Sequence, residues 1–247
     1  MSGNKRMNKW DEKAKNYARY QEGEDRFEAK VLEAVEDFGI TFKDKTLIDI
    51  GCGSGVYTLR VAQSAKRVEA LDFSKEMIKI LKEDAKKLSL SNINYIVSTW
   101  SEYKPKEIFD IALCTMSPAI KHEPELEKMH KYAKTKIYLG WFGQRDSHIL
   151  DTIFKAHGKT YTPPNGAQRV EEWLIKNRIP YQDKIFSELK EKRREFEKAV
   201  ENFSWHLEVR KAVPNEKIIR DTLKDFIDDE GCIKESIINQ MKLLIWE

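Results

Sequence analysis

The sequence predicts an α/β protein built on a mostly parallel sheet, and three observations predict it. Between residues 45 and 142, short apolar runs alternate strictly with amphipathic helical patterns, the arrangement that covers a parallel sheet on both faces. The first run leads into a glycine-rich turn, Gly51-Cys52-Gly53-Ser54-Gly55, at the start of a helix. The second run ends in an acidic residue, Asp72.

Two helical patterns come first. Trp10, Ala14, Tyr17 and Ala18 share one face; Phe27, Val31, Leu32, Val35 and Phe38 share another, which Gly39 closes. The expected strands then fall at 46–50, 67–72, 93–98, 109–114 and 136–142. Helices are expected at 56–65, 75–88 (Met77, Ile78, Leu81, Ala85 and Leu88 on one face) and 125–133. Beyond 142 the alternation loosens. A helix around Ile149 to Phe154 stops at Gly158, and Pro163-Pro164-Asn165-Gly166 reads as a loop. Helical stripes follow at 170–177, at Phe196, Ala199, Val200, Phe203 and Leu207, and at Ile218 to Ile227. Residues 183–190 suit a sixth strand or a helix almost equally, and 236–246 read as a final strand.

At 247 residues the chain is long enough for one α/β domain with a substantial core. The expected organisation is a single domain over 1–247: N-terminal helices at 8–38, a binding core at 45–142, a substrate-side helical excursion at 143–210, and a closing helix and strand at 211–247. Lys plus Arg (44) nearly balances Asp plus Glu (41), a formal charge of +3 that sets up no field pointing to nucleic acid or a membrane surface. Residues 1–16 lack the apolar stretch of a secretory signal, and no later run approaches the ~20 residues that span a bilayer. A soluble, cytoplasmic protein is expected. Three scattered cysteines without a C-x-x-C pair read as free thiols, and His130, His148, His157 and His206 fit no metal-ligand spacing, so no metal is expected.

Glycine suits a tight strand-to-helix turn because it accepts unusual backbone angles and lets the backbone approach a ligand. The spacing is G-x-G-x-G, distinct from the G-x-G-x-x-G of dinucleotide enzymes because position 56 is Val. Asp72 lies about twenty residues on, where a carboxylate accepts hydrogen bonds from ribose hydroxyls. Together these features predict an adenosine-type ligand.

The same residues carry a family resemblance. Leu47-Ile48-Asp49-Ile50-Gly51-Cys52-Gly53-Ser54-Gly55 resembles motif I of class I S-adenosylmethionine (SAM) dependent methyltransferases, and Ala70-Leu71-Asp72-Phe73-Ser74-Lys75-Glu76-Met77 resembles their D-x-S-x-x-M segment. Phe109-Asp110-Ile111-Ala112-Leu113-Cys114 is similar to their F-D-x-V strand. Trp10 to Tyr17 is similar to the W-D-x-x-A-x-x-Y entry helix of small-molecule members. The likeness is good over 8–142 and holds in outline beyond. It implies a Rossmann-like seven-stranded, mostly parallel sheet with one antiparallel strand near the edge, the N-terminal helices, and the helical excursion after strand 5.

The resemblance also implies a cofactor, SAM, with S-adenosylhomocysteine (SAH) as product. Gly51, Cys52, Gly53 and Gly55 would line its methionine part and Asp49 would lie below its amino group. Asp72 would hold the ribose; Phe73 and Met77 would flank the adenine. Thr99, followed by Trp100, stands where many relatives place an Asp that meets the adenine amino group. Tyr17 or Tyr20 would close over the cofactor, and helical spacing gives Tyr17 an equal claim to the core.

Methyl transfer from a sulfonium is an in-line displacement, so alignment supplies much of the acceleration and a catalytic base is optional. Where the acceptor must lose a proton, His122 is the candidate base; a surface histidine ahead of a helix is the competing reading. Ser117-Pro118-Ala119-Ile120 matches the (D/N)-P-P-(Y/F) motif of amino-group methyltransferases at one position of four. Ser117, Trp141 and Tyr161 are the candidate walls of a substrate pocket at the carboxyl ends of the strands. The expectation is methyl transfer to a small-molecule acceptor. Methylation of tRNA or protein, and SAM binding without catalysis, are the alternatives, and the oligomeric state is left open.

Overall fold

The computed structural model describes residues 10–247, and residues 144–146 through their backbone alone. Residues 8 and 9 of the expected N-terminal helices therefore lie outside the described residues. A helical segment covers 10–14, and α1 follows at Phe27–Asp37. Next come β1 (Thr46–Ile50), α2 (Thr58–Val61), β2 (Arg67–Asp72), α3 (Lys75–Lys87), β3 (Ile93–Val97), β4 (Phe109–Thr115), α4 (Glu123–Lys131) and β5 (Ala133–Asp146). The chain continues through α5 (His148–Ala156), α6 (Gly166–Lys176), β6 (Tyr181–Glu195), α7 (Phe196–Val209), α8 (Glu216–Leu223) and β7 (Cys232–Trp246).

The seven strands form one sheet in the order β3-β2-β1-β4-β5-β7-β6. The pairs β1–β2, β2–β3, β1–β4 and β4–β5 are parallel. The chain lays strands to one side of β1 and then returns to the other side at β4. Such a reversal leaves a crevice at the carboxyl ends of the two strands, where open α/β sheets bind ligands. The four strand residues of β1 after Thr46 are all buried, as expected where helices cover both faces.

Several elements differ from the sequence reading in length. The helix expected at 56–65 is one short turn, and just beyond it Asn92 Nδ2 donates to the carbonyls of Ala62 and Ala65, both at 2.8 Å. α3 matches its pattern closely: Ser74 Oγ accepts from Met77 N at 3.2 Å as N-cap, Lys86 and Lys87 occupy the last turn, and Met77, Ile78, Leu81 and Ala85 are buried. α4 stops before Ala133, where β5 begins, and residues 181–195 are a strand.

The chain divides into two compact units. One comprises the described part of Met1–Gly140 with Gly166–Lys184 and Lys242–Glu247; the other comprises Trp141–Asn165 and Ile185–Met241. The second unit has its own core, in which Ile149, Ile153, Phe154, Phe203, Leu207 and Ile219 are buried. Its polar support includes Ser147, which caps α5 by accepting from Leu150 N at 3.2 Å and donates its hydroxyl to Glu235; Arg194 pairs with that carboxylate at 2.7 Å.

Candidate active site

The glycine turn is stitched to β2: Gly51 N and Cys52 N donate to Leu71 O at 2.7 and 3.0 Å. Asp72, at the end of β2, is buried and divides its oxygens between two loops. Oδ2 accepts from Gly53 N at 3.0 Å, and Oδ1 accepts from Ser74 N at 2.8 Å. Burial raises its pKa, and the two N–H donors oppose that rise.

The glycines of the turn have different work. A Cβ on Gly55 would come 2.1 Å from Leu81 Cδ1, so that glycine permits packing against α3. A Cβ on Gly53 would meet only Tyr17 Cε1, at 3.7 Å, so Gly53 leaves its backbone open toward the cleft.

Beneath the turn, Asp49 is buried and accepts from Thr58 Oγ1 at 2.5 Å, joining β1 to α2. Its Oδ1 has no hydrogen-bond partner. Burial pushes this carboxyl up to about 7, against the pull of the Thr58 hydroxyl.

The N-terminal segment closes one side. Asp11 accepts from Ser74 Oγ, Ser54 Oγ donates to Ala18 O at 2.5 Å, and Arg19 forks onto Asp84 at 2.9 and 2.7 Å. Tyr17 is thereby held against the cleft beside Trp10, with ring centroids 6.3 Å apart. Burial raises the Tyr17 pKa, and the Asp72 charge adds to the effect.

The cleft encloses about 100 Å³ and sits at the carboxyl ends of β1, β2 and β4, as the strand order requires. Gly51, Cys52, Gly53, Asp72, Phe73, Met77 and Ser117 line it, all singled out by sequence. Trp10, Ser54, Val56, Tyr57, Thr115, Met116, Pro118 and Ala119 also line it without having been singled out as site residues. For Met116 no sequence signal exists: it takes φ 50°, a conformation non-glycine residues rarely adopt, and donates its N–H to Leu139 O at 2.7 Å.

Other expected site residues lie elsewhere. Tyr20 is outside the cleft: its hydroxyl accepts from Gln63 Nε2 at 3.1 Å and Arg60 stacks over its ring, so of the two tyrosines it is Tyr17 that lines the cleft. Trp100 is a core residue whose indole N–H donates to Glu125 O at 3.0 Å. Thr99 bonds Glu102 at 2.8 Å, closing its own turn. His122 is exposed at the N-cap of α4, its N–H donating to Glu125 Oε2 at 2.6 Å, and it does not line the cleft. Trp141 and Tyr161 belong to the second unit, where Tyr161 is packed edge-on against Phe154 at 5.4 Å with Arg210 over its face.

The residues fit an adenosyl sulfonium. Asp72 offers a carboxylate for ribose hydroxyls, Phe73 and Met77 offer apolar faces for a base, Gly53 allows close approach, and the unpartnered Asp49 oxygen suits an ammonium group.

Sheet order and cleft together define a class I methyltransferase fold. Residues 41–141 match the family described as a methyltransferase domain. Among curated proteins, the chain is 28% identical over 155 residues to an uncharacterized protein of Haemophilus influenzae, covering 61% of this chain and 56% of that one. It is 30% identical over 143 residues to a ubiquinone biosynthesis O-methyltransferase of Coxiella burnetii, covering 58% of each. The chain thus spans less than two thirds of the length of these relatives. Among solved structures, precorrin-6y C5,15-methyltransferase from Geobacter metallireducens superposes with a TM-score of 0.55 at 11% identity, over 94% of this chain and 95% of that one. The YcgJ protein of Bacillus subtilis gives 0.56 at 13% identity, over 88% and 98%. At these identities the structures share the fold.

Proposed function

We propose that the protein transfers a methyl group from SAM to a small-molecule acceptor. The observation that carries this reading is the Gly53–Asp72 pair at the crevice between β1 and β4: an open backbone and a buried carboxylate where an adenosyl ligand needs both. The near-neutral charge supports a small acceptor, and so does the small-molecule pathway in the name of the Coxiella burnetii relative. No helix among the described residues is long and apolar enough to cross a membrane, which fits the cytoplasmic site of action we assign.

Bound in the cleft, SAM supplies an electrophilic methyl group on sulfonium sulfur. The chain's part is to bind and orient. Asp72 fixes the ribose, Asp49 the ammonium, and Tyr17 with Trp10 shields the site from water. The loop 115–119 at the end of β4 borders the side left for the acceptor. Among the cleft-lining residues, the one carboxylate is Asp72, already engaged by two N–H donors. Alignment is therefore the main catalytic device.

The test is SAH formation from SAM labelled in the methyl group, followed chromatographically with a panel of phenols, amines, thiols and carboxylic acids, and with bulk tRNA and protein. Label in a small molecule is expected. Label in tRNA or protein alone would overturn the acceptor class.

A further inference from the structure

Arg169 is the fourth residue of α6, within the helix's first turn. A cation there opposes the helix dipole, whose positive end is at the N-terminus, so its placement is locally unfavourable. Its Nη2 donates to Ile120 O at 2.7 Å, the carbonyl next to cleft-lining Ala119. Its Nε is buried and has no partner, and among the described residues no carboxylate pairs with it. A buried donor left without an acceptor is the kind of group that a ligand oxygen satisfies.

Beside Arg169 stands Tyr138. It pairs with Cys114 in the β4–β5 register, one residue before the Leu139–Thr115 pair at the cleft. Burial raises the pKa of this phenol and the Cys114 thiol adds to the rise, while the Arg169 guanidinium, through its charge and a hydrogen bond to the phenol, opposes it. Two glycines make room for the ring: a Cβ on Gly140 would lie 2.6 Å from Tyr138 Cε1, and one on Gly166 would lie 2.7 Å from the hydroxyl. The sequence thus brings a phenol and an unneutralised guanidinium to the β4 loop, on the opposite side of that loop's strand from the β2 carboxylate.

We propose that Arg169, with the Tyr138 hydroxyl beside it, binds a carboxylate carried by the methyl acceptor. This rests on the methyltransferase reading of the cleft. A guanidinium fork matches the plane of a carboxylate. The cleft side of the same loop presents Met116 and Pro118, which suit an apolar body on that carboxylate.

The test uses the full chain saturated with SAH and titrated by calorimetry with benzoate, benzamide and inorganic phosphate. Benzoate is expected to bind, with benzamide and phosphate weaker by about tenfold or more, the loss typical of a missing charge-assisted hydrogen-bonded pair. Arg169→Gln should weaken benzoate by about tenfold while leaving SAH affinity within about twofold. Arg169→Lys, which keeps the charge without the fork, and Tyr138→Phe should each give a smaller loss of benzoate, and they carry the test should Arg169→Gln not fold. Equal benzoate binding by wild type and all three variants, or equal binding of benzamide, or a preference for phosphate, would overturn the carboxylate subsite. Failure of the wild type to bind SAH would overturn the reading of the cleft itself, a different result from SAH uptake without benzoate recognition.

Discussion

Gly53 N donates to Asp72 Oδ2 at 3.0 Å, joining two residues 19 positions apart and fixing the turn after β1 to the end of β2. Asp72 is thus a scaffold for the turn, and in the proposed function it is also the carboxylate that holds the ribose. Asp72→Ala should weaken SAH binding by roughly tenfold to a hundredfold, the worth of hydrogen bonds to a charged group. Asp72→Asn, which keeps an acceptor for Gly53 N, should lose less. Equilibrium dialysis with labelled SAH reads both, and a Kd unchanged in Asp72→Ala would count against this role.

Gly53 and Gly55 should separate binding from stability. Gly55→Ala drives a methyl into Leu81 at a φ of 84°, and should cost several kcal/mol, on the order of 3, in thermal or denaturant unfolding. Gly53→Ala meets no close atom, so its cost is about 1–2 kcal/mol for the left-handed backbone. Its main effect should appear as lost SAH affinity. The reverse ranking of the two variants in unfolding would contradict the assignment.

Asp49 sets a pH dependence. Its folded pKa, about 7, stands above the ordinary carboxylate value, so the protonated form is favoured by folding. The associated stability is fully present below about pH 4 and is lost as the pH rises to 7, by roughly 4 kcal/mol at about 1.4 kcal/mol per pKa unit. Asp49→Asn should remove that part of the slope in urea unfolding measured from pH 4 to 8. An ammonium beside Asp49 favours the ionised form, so SAH binding near neutral pH should release a proton in the wild type and not in Asp49→Asn. Calorimetry in buffers of different ionisation enthalpy measures the difference; equal proton release by both proteins would exclude Asp49 as the source.

Tyr17 and Tyr20 should also part company. Tyr17→Ala opens the cleft and should weaken SAH binding several-fold, whereas Tyr20→Ala removes contacts to Gln63 and Arg60 outside the cleft and should leave it unchanged. Stopped-flow dissociation of SAH, faster in Tyr17→Ala alone, is the expected pattern.

Much of this arrangement was legible in the sequence because it is local. The turn at 51–55, the cap at Ser74 and the apolar stripe of α3 are each set by residues within one or two turns of one another. What was not legible depends on distant partners. Thr99 and Trp100 follow β3 as expected, but Glu102 and the Glu125 carbonyl claim their polar groups. The choice of Tyr17 over Tyr20 is made by Ser54 holding Ala18 and Asp84 holding Arg19, neither of which periodicity reveals. The division into two units was hidden because β5, β6 and β7 each contribute residues to both.

The most direct test of the central claim is calorimetric titration of the purified chain with SAH. Binding at one site with a Kd of about 1–10 µM, equivalent to roughly −7 to −8 kcal/mol, is the predicted result. No heat with SAH or SAM at any temperature tried, on protein shown to be folded, would contradict it.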